Sequence, residues 1–549
     1  MKVIKNIGLY FRTIKHLKFK QIYFRIYRFC YSPKLFLKGN LDRSNFIFPP
    51  YITYISNNDL LKNKFTFLNS RINLSLPDDW KNKAIPLLWL YNLHYFNDLL
   101  ASNISIDNKK YHIDKWIEDN PSSLKGPGWD PYTLSLRIVN WIKFFSNENL
   151  NSKNHITSLI EQARVLNKSV EFHLMANHVL ENAKALIFAG IFFKGQEAQH
   201  WLERGIKILE TELKEQILED GAHFELSPMY HSIMLDLVMD LYELSILSND
   251  TRYACLRNTQ PFLKKTIAKM SYWLNNMTHP DGEISYFNDA AIGIAKSPEY
   301  YFSRANKLLS NTKISNITDV IHHSDSGYIK ALKKDFFLIL NCSEISPSYQ
   351  PGHAHADSLS IELSYLNQRI FVNLGTSIYE ASQRRDYERG TRSHSTLEVN
   401  GKNSSEVWSS FRVGRRAEIM QTKISEKDDY TEIMCEHNGY RFIEKNLKHT
   451  RVIKISESSV HIIDKLNSQK HKGISRFHLH PDMSIECDYE NKSGTLILPN
   501  ARKIYWKAEC KKIVLEETKY ASGFGRLNNT LTLALYDNNF NSSSLTLKI

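Results

Sequence analysis

The stretch SLSIELSYLNQRIFVNLG, residues 358–375, decides how the second half of the chain reads. Leu359, Ile361, Leu363 and Tyr365 alternate with polar residues. A period of two puts every second side chain on one face of a strand. From about residue 325 onward the chain keeps this texture. SGYIKAL, FFLILNC, STLEVNG, RVIKISE, VHIIDKL, GTLILP and LTLALYD are short and β-rich, with turn residues such as Asn400-Gly401 between them. They predict an all-antiparallel sheet domain.

Upstream the period changes. In HWLERGIKILETELKEQI, residues 200–217, Leu202, Gly205, Ile206 and Leu209 recur at i, i+3, i+4 and i+7, one face of a helix. LLWLYNLHYFNDLL, TLSLRIVNWIKFF, HVLENAKALIFAGIFF and SIMLDLVMDLYELSIL follow the same rule between about residues 75 and 310. Sequential amphipathic helices with no fixed-period repeat predict helical hairpins closed into an (α/α) toroid. The expected fold is therefore α+β and multidomain. A basic, amphipathic lead-in covers 1–75, an N-terminal (α/α) toroid 76–315, and a C-terminal antiparallel β-sandwich domain 316–549.

A chain of 549 residues exceeds one ordinary core. Its net charge of +13 favours polyanionic partners. There is no zinc-finger spacing and no P-loop, so nucleic acid ranks below acidic polysaccharide. The 28 Tyr, 28 Phe and 9 Trp suit stacking on sugar rings, although each ring serves equally to fill a core. Six cysteines without a CxxC read as reduced, buried thiols. In MKVIKNIGLYFRTIKHLKFKQIYFRIYRF the charges break every apolar run, which excludes a signal-peptide core there. No run of 18 apolar residues occurs, so no transmembrane helix is expected. The expected location is the cytoplasm. The first segment either packs on the next domain or touches a membrane surface peripherally.

Four clusters can carry chemistry. Asn177-His178 with Glu181-Asn182 sets polar groups on an otherwise apolar helix, where they need polar destinations; capping and buried hydrogen bonds are the structural alternative. DGAHFELSPMYH, residues 220–231, brings Glu225 and places Tyr230 at a helix N-terminus, where the dipole favours phenolate. His353-Ala354-His355-Ala356-Asp357 leads into the strand quoted first, and alternation would present His353, His355 and Asp357 together as ligands or acid/base groups. RRDYERGTRSH, residues 384–394, supplies Arg389 and Arg392, whose guanidinium groups suit sugar carboxylates, and then His394. HPDGEISYFND, with His279, Asp281 and Asp289, and FHLHPD, with His478 and His480, are weaker.

In this order and across these two textures, the clusters resemble the heparinase II/III family of polysaccharide lyases and their alginate-lyase relatives. The resemblance runs from about residue 91 to about residue 480. It implies an α/α toroid followed by an antiparallel β-sandwich, and β-elimination at a uronic acid. Position by position, Asn177 resembles the amide that neutralises the substrate carboxylate, His178 its acid/base neighbour, Tyr230 the catalytic tyrosine and His353 the histidine near the scissile oxygen. Glu181, Glu225, Arg389 and Arg392 are the expected substrate-binding residues. His355 and His394 resemble metal ligands. The family's third ligand is an aspartate, and Asn373 stands at its place, so a zinc ion is expected to be weak or absent. The resemblance thus implies a lyase cleaving a uronate-containing glycan, acting either in bacterial capsule or O-antigen metabolism or in the degradation of host glycan. The alternative is a non-catalytic protein that binds or assembles such glycans.

Overall fold

The computed structural model of the protein describes residues 2–30, 39–122, 125–310 and 319–549. The expected boundary at 315/316 lies outside them, as does the stretch 31–38 of the lead-in. Two compact units form, and they do not follow a linear cut. One comprises residues 18–217 and 234–267; the other comprises 1–17, 218–233 and 268–549. The helices used below are α1 (Lys2–Ile14), α2 (Phe19–Cys30), α3 (Leu87–Tyr95), α4 (Ile106–Asp119), α5 (Pro131–Asn147), α6 (Lys153–Ser169), α7 (Ala176–Phe192), α8 (Gln196–Gln216) and α9 (Pro228–Leu247).

In the first unit the predicted apolar stripes become the core. Leu134, Ile138 and Trp141 of α5, Val179 and Leu186 of α7, and Leu202 and Leu209 of α8 are all fully buried. Two glycines let α7 and α8 approach closely. A Cβ on Gly190 would lie 2.5 Å from the Leu202 nitrogen, and one on Gly205 would lie 2.7 Å from Ile187. Close-packed interiors leave no room for either.

The second unit carries two antiparallel sheets, one of eight strands and one of nine. Ile329, Leu338 and Ile361 of the larger sheet share one core with Ile433, Ile453, Ile462 and Leu545 of the smaller. That is a β-sandwich. The opening quotation supplies its neighbouring strands Ile361–Tyr365 and Gln368–Val372. Ile361–Tyr365 is buried throughout, so its polar alternates do not meet water. Glu362 and Ser364 instead take the two ring nitrogens of His279, at 2.8 and 2.7 Å. A disulfide joins Cys342 to Cys435 across the two sheets, which corrects the expectation that every thiol is reduced. No helix among the described residues is long and apolar enough to cross a membrane.

Candidate active site

The HAHAD segment is an irregular loop, and the strand begins only at Ile361. The alternation expected for His353, His355 and Asp357 therefore fails. Both histidines turn instead to Asp289. His353 Nδ1 lies 2.9 Å from Asp289 Oδ2, and His355 Nε2 lies 2.8 Å from Oδ1. Arg385 grips the same carboxylate with both terminal nitrogens. Burial alone would raise the Asp289 carboxyl, but Arg385 and the two imidazoles hold it well below the usual carboxylate range. Asp357 has other company, Asn341 and the backbone of Asn288, and burial pushes its carboxyl up to about 7.

The rings of Tyr230 and His353 pack against each other with centroids 3.9 Å apart and planes tilted by 31°. Ser227 caps α9: its hydroxyl accepts the Tyr230 N–H at 3.3 Å and donates to the Asp289 carbonyl at 2.6 Å. Asn288 ties the same two loops, donating to the Leu226 carbonyl at 2.9 Å and accepting the His355 N–H at 3.1 Å. Both Leu226 and Asn288 have positive φ, at 56° each, the kind of backbone strain that gathers at functional sites. The Tyr230 hydroxyl lies 3.1 Å from the hydroxyl of Tyr379. Burial, then Tyr379, Asp289 and Glu225, raise the Tyr230 pKa well above its ordinary value. The expected pull of the helix dipole towards phenolate is overruled, and the resting group is a phenol. Glu225 stands on the Nε2 side of His353, with Oε1 3.9 Å from Nε2.

In the helical unit, Asn177 and Glu181 are buried at the start of α7, just after Met175 and Ala176 with φ of 65° and 53°. His178 lies 3.2 Å from Glu171 and packs on Tyr132 at 4.5 Å. Burial would raise Glu171, but His178 and the Asn182 amide hold it lower. Asn182 is structural: it accepts the Glu171 N–H at 2.9 Å and donates to Ser135 at 2.9 Å. Burial raises the Glu181 carboxyl, and Lys184 opposes that rise.

Two assignments change. Arg389 is fully buried, and its guanidinium is used by backbone carbonyls, 2.9 Å from Ala354 and 2.9 Å from Ser409. It braces the histidine loop and does not present itself to a ligand. Arg392, by contrast, is exposed. The His-Asn-His set also differs from a metal cage. His355 Nδ1 faces His394 Nε2 at 3.3 Å. Asn373 lies on the far side of that ring, its oxygen 3.2 Å from His394 Nδ1, where it also accepts the Ser395 N–H. Asn373 orients His394, as an outer-shell group does. Two protein ligands fall short of the three or four that zinc sites use, so the set does not fit a resident zinc.

Asp289, Arg385 and Tyr379 are what sequence reasoning underrated. Asp289 stood in a segment set aside as weak, Arg385 read as one of several loop cations, and Tyr379 carried no signal beyond its residue type.

An α/α toroid followed by an antiparallel β-sandwich is the fold class. The Heparinase II/III N-terminus matches residues 108–317 and the Heparinase II/III-like C-terminal region matches 318–542, so the chain belongs to the heparinase II/III family. It is 25% identical over 446 residues to a heparin-sulfate lyase of Bacteroides stercoris, covering 71% of this chain and 64% of that protein. It is 26% identical over 322 residues to a heparin-sulfate lyase of Pedobacter heparinus, covering 53% and 48%. The chain thus spans less than two thirds of the length of either relative. A crystal structure of heparinase III superimposes with a TM-score of 0.72 at 17% identity, over 93% of this chain and 87% of that one.

Proposed function

We propose that the protein is a polysaccharide lyase that cleaves an acidic, uronate-containing glycan of the glycosaminoglycan type by β-elimination. The observation that carries this reading is the Tyr230–His353 pair above an ionised Asp289. Elimination needs a base for the C5 proton and an acid for the departing O4. Asp289 takes the Nδ1–H of His353, which leaves the Nε2 lone pair as the base. Glu225 then favours the imidazolium that forms. Tyr230, held as a phenol, is the donor to O4. The C5 carbanion pushes charge onto the uronate carboxylate, and a group that neutralises that carboxylate lowers the barrier. Family likeness supports Asn177 in that role, with His178 beside it in sequence.

The test is growth of the ultraviolet absorbance of the new C4–C5 double bond on heparan sulfate, chondroitin sulfate and other uronate polymers. Absorbance growth on at least one polymer is expected. Binding to these polymers without any new absorbance would favour the non-catalytic alternative.

A further inference from the structure

Helix α2 is turned the wrong way round for a surface helix. Phe19, Ile22, Tyr23, Ile26 and Phe29 fall at i, i+3, i+4, i+7 and i+10, so they form one stripe. Their exposures are 80%, 38%, 53%, 60% and 93%. The opposite face is the one that packs. Gln21 is fully buried, and the Phe24 ring lies 5.0 Å from Phe172. Lys20 sits 4.3 Å over that same Phe172 ring and 3.7 Å from Glu212. Arg28 reaches His173 at 3.4 Å. The polar face is spent on protein and the apolar stripe on solvent, the reverse of the usual arrangement.

Helix α1, within the other unit, repeats the pattern. Ile7, Tyr10, Phe11 and Ile14 again share i, i+3, i+4 and i+7 spacing and are 63%, 46%, 70% and 50% exposed. Its packed side carries Arg12, which binds Glu406 through two contacts of 2.8 Å, and Thr13, which accepts the Trp408 indole N–H at 3.1 Å. Residues 1–30 contain eight Lys and Arg and no Asp or Glu. Lys15, Arg25 and Arg28 are exposed.

We infer that α1 and α2 dock the protein on an anionic lipid bilayer, each laying its apolar stripe into the headgroup–acyl boundary. Three features select this occupant. The helices have 13 and 12 residues, too short to span and suited to lying in the interface. The stripes are rich in Tyr and Phe, residues that favour that depth. The flanking charge is of one sign, which anionic headgroups complement. A second copy of this chain is disfavoured, because a two-fold contact would set the same cations against themselves.

The experiment is co-sedimentation of the full chain with vesicles of phosphatidylcholine alone or mixed with phosphatidylglycerol. Binding is expected to the mixed vesicles and to weaken with salt. The triple variant Phe19→Ser/Ile26→Ser/Phe29→Ser should lose it by more than about tenfold, with an unchanged melting temperature because these three side chains are mostly exposed. Lys15→Gln and Arg25→Gln should each weaken it roughly fivefold. Absence of binding to either vesicle, or equal binding by the triple variant, overturns the inference. So does a concentration-dependent dimer that the triple variant abolishes, which would assign the stripes to a second copy.

Discussion

Asp289 and His353, 64 residues apart in sequence, are joined by a 2.9 Å hydrogen bond that fixes which nitrogen of the imidazole carries the proton. The other oxygen of the same carboxylate holds His355, and Arg385 neutralises it. Asp289→Asn should therefore act twice. Turnover should fall by about 10²-fold or more, because the base loses its tautomer and the partner of its imidazolium. Stability should fall by roughly 3–5 kcal/mol, because Arg385 is left buried without a counter-charge. Adding Arg385→Met should restore part of the melting temperature and none of the rate. Joint recovery of both would show that Asp289 only supports the fold.

Tyr230→Phe removes one hydroxyl and leaves the ring contact with His353. The expected loss is about 10²–10⁴-fold in kcat, the range for an acid/base group, with little change in melting temperature. Tyr379→Phe removes the hydroxyl that partners Tyr230 and should cost less, since the donor remains. Equal kcat values for wild type and Tyr230→Phe would refute the donor assignment. Asn177→Ala should also lower kcat strongly.

The two periodicities were enough to predict both halves of the fold, because helix and strand patterns are local. Tyr230 and His353 were singled out from a tyrosine opening a helix and a doubled histidine, and the structure brings their rings together. Asp289 was not, because a carboxylate in HPDGEISYFND looks like any turn residue until the chain has folded. Arg385 and Arg389 show the same limit. In RRDYERG the guanidinium groups read as suited to sugar carboxylates, yet both are fully buried, one on a protein carboxylate and the other on carbonyls. The inverted faces of α1 and α2 lay beyond pattern reading too, since a stripe on a wheel does not say which side packs.

The Cys342–Cys435 bond closes a loop of 93 residues between the sheets. Removing such a bond costs roughly 2–5 kcal/mol, so Cys342→Ala should lower the melting temperature of protein made under oxidising conditions. In the wild type, alkylation without reductant should count four reactive thiols of the six. Disulfides persist mainly in oxidising compartments, so this bond sits uneasily with the expected cytoplasmic location. Six reactive thiols in protein taken directly from its cells would restore the reduced state.

A buried chain in the sandwich predicts an acid limit. His437 contacts His449 at 3.0 Å, and His449 contacts Asp464 at 2.8 Å. Burial would raise the Asp464 carboxyl, but Arg451 and His449 hold it well below its ordinary value. A depressed folded pKa contributes stability above the unfolded pKa, about 3.9, and that contribution is lost as pH falls below it. Wild type should therefore lose melting temperature steeply below about pH 4. Asp464→Asn should start lower and fall less across the same window. Parallel pH curves for the two proteins would exclude this linkage.

The last prediction concerns metal. His355 Nε2 donates to Asp289, so its Nδ1 offers a lone pair; His394 Nδ1 donates to Asn373, so its Nε2 offers another. These two lone pairs face each other at 3.3 Å. The third zinc ligand of a catalytic set is missing because Asn373 faces the wrong nitrogen. Protein purified without chelator should therefore carry zinc well below one equivalent, and dialysis against a chelator should leave the melting temperature unchanged. Asn373→Asp should not raise the zinc content, since a carboxylate in that place would still accept the His394 Nδ1–H. Near-stoichiometric zinc in wild type, or tight zinc in Asn373→Asp, would show that Asn373 stands at a ligand position and that the rings turn to meet the metal.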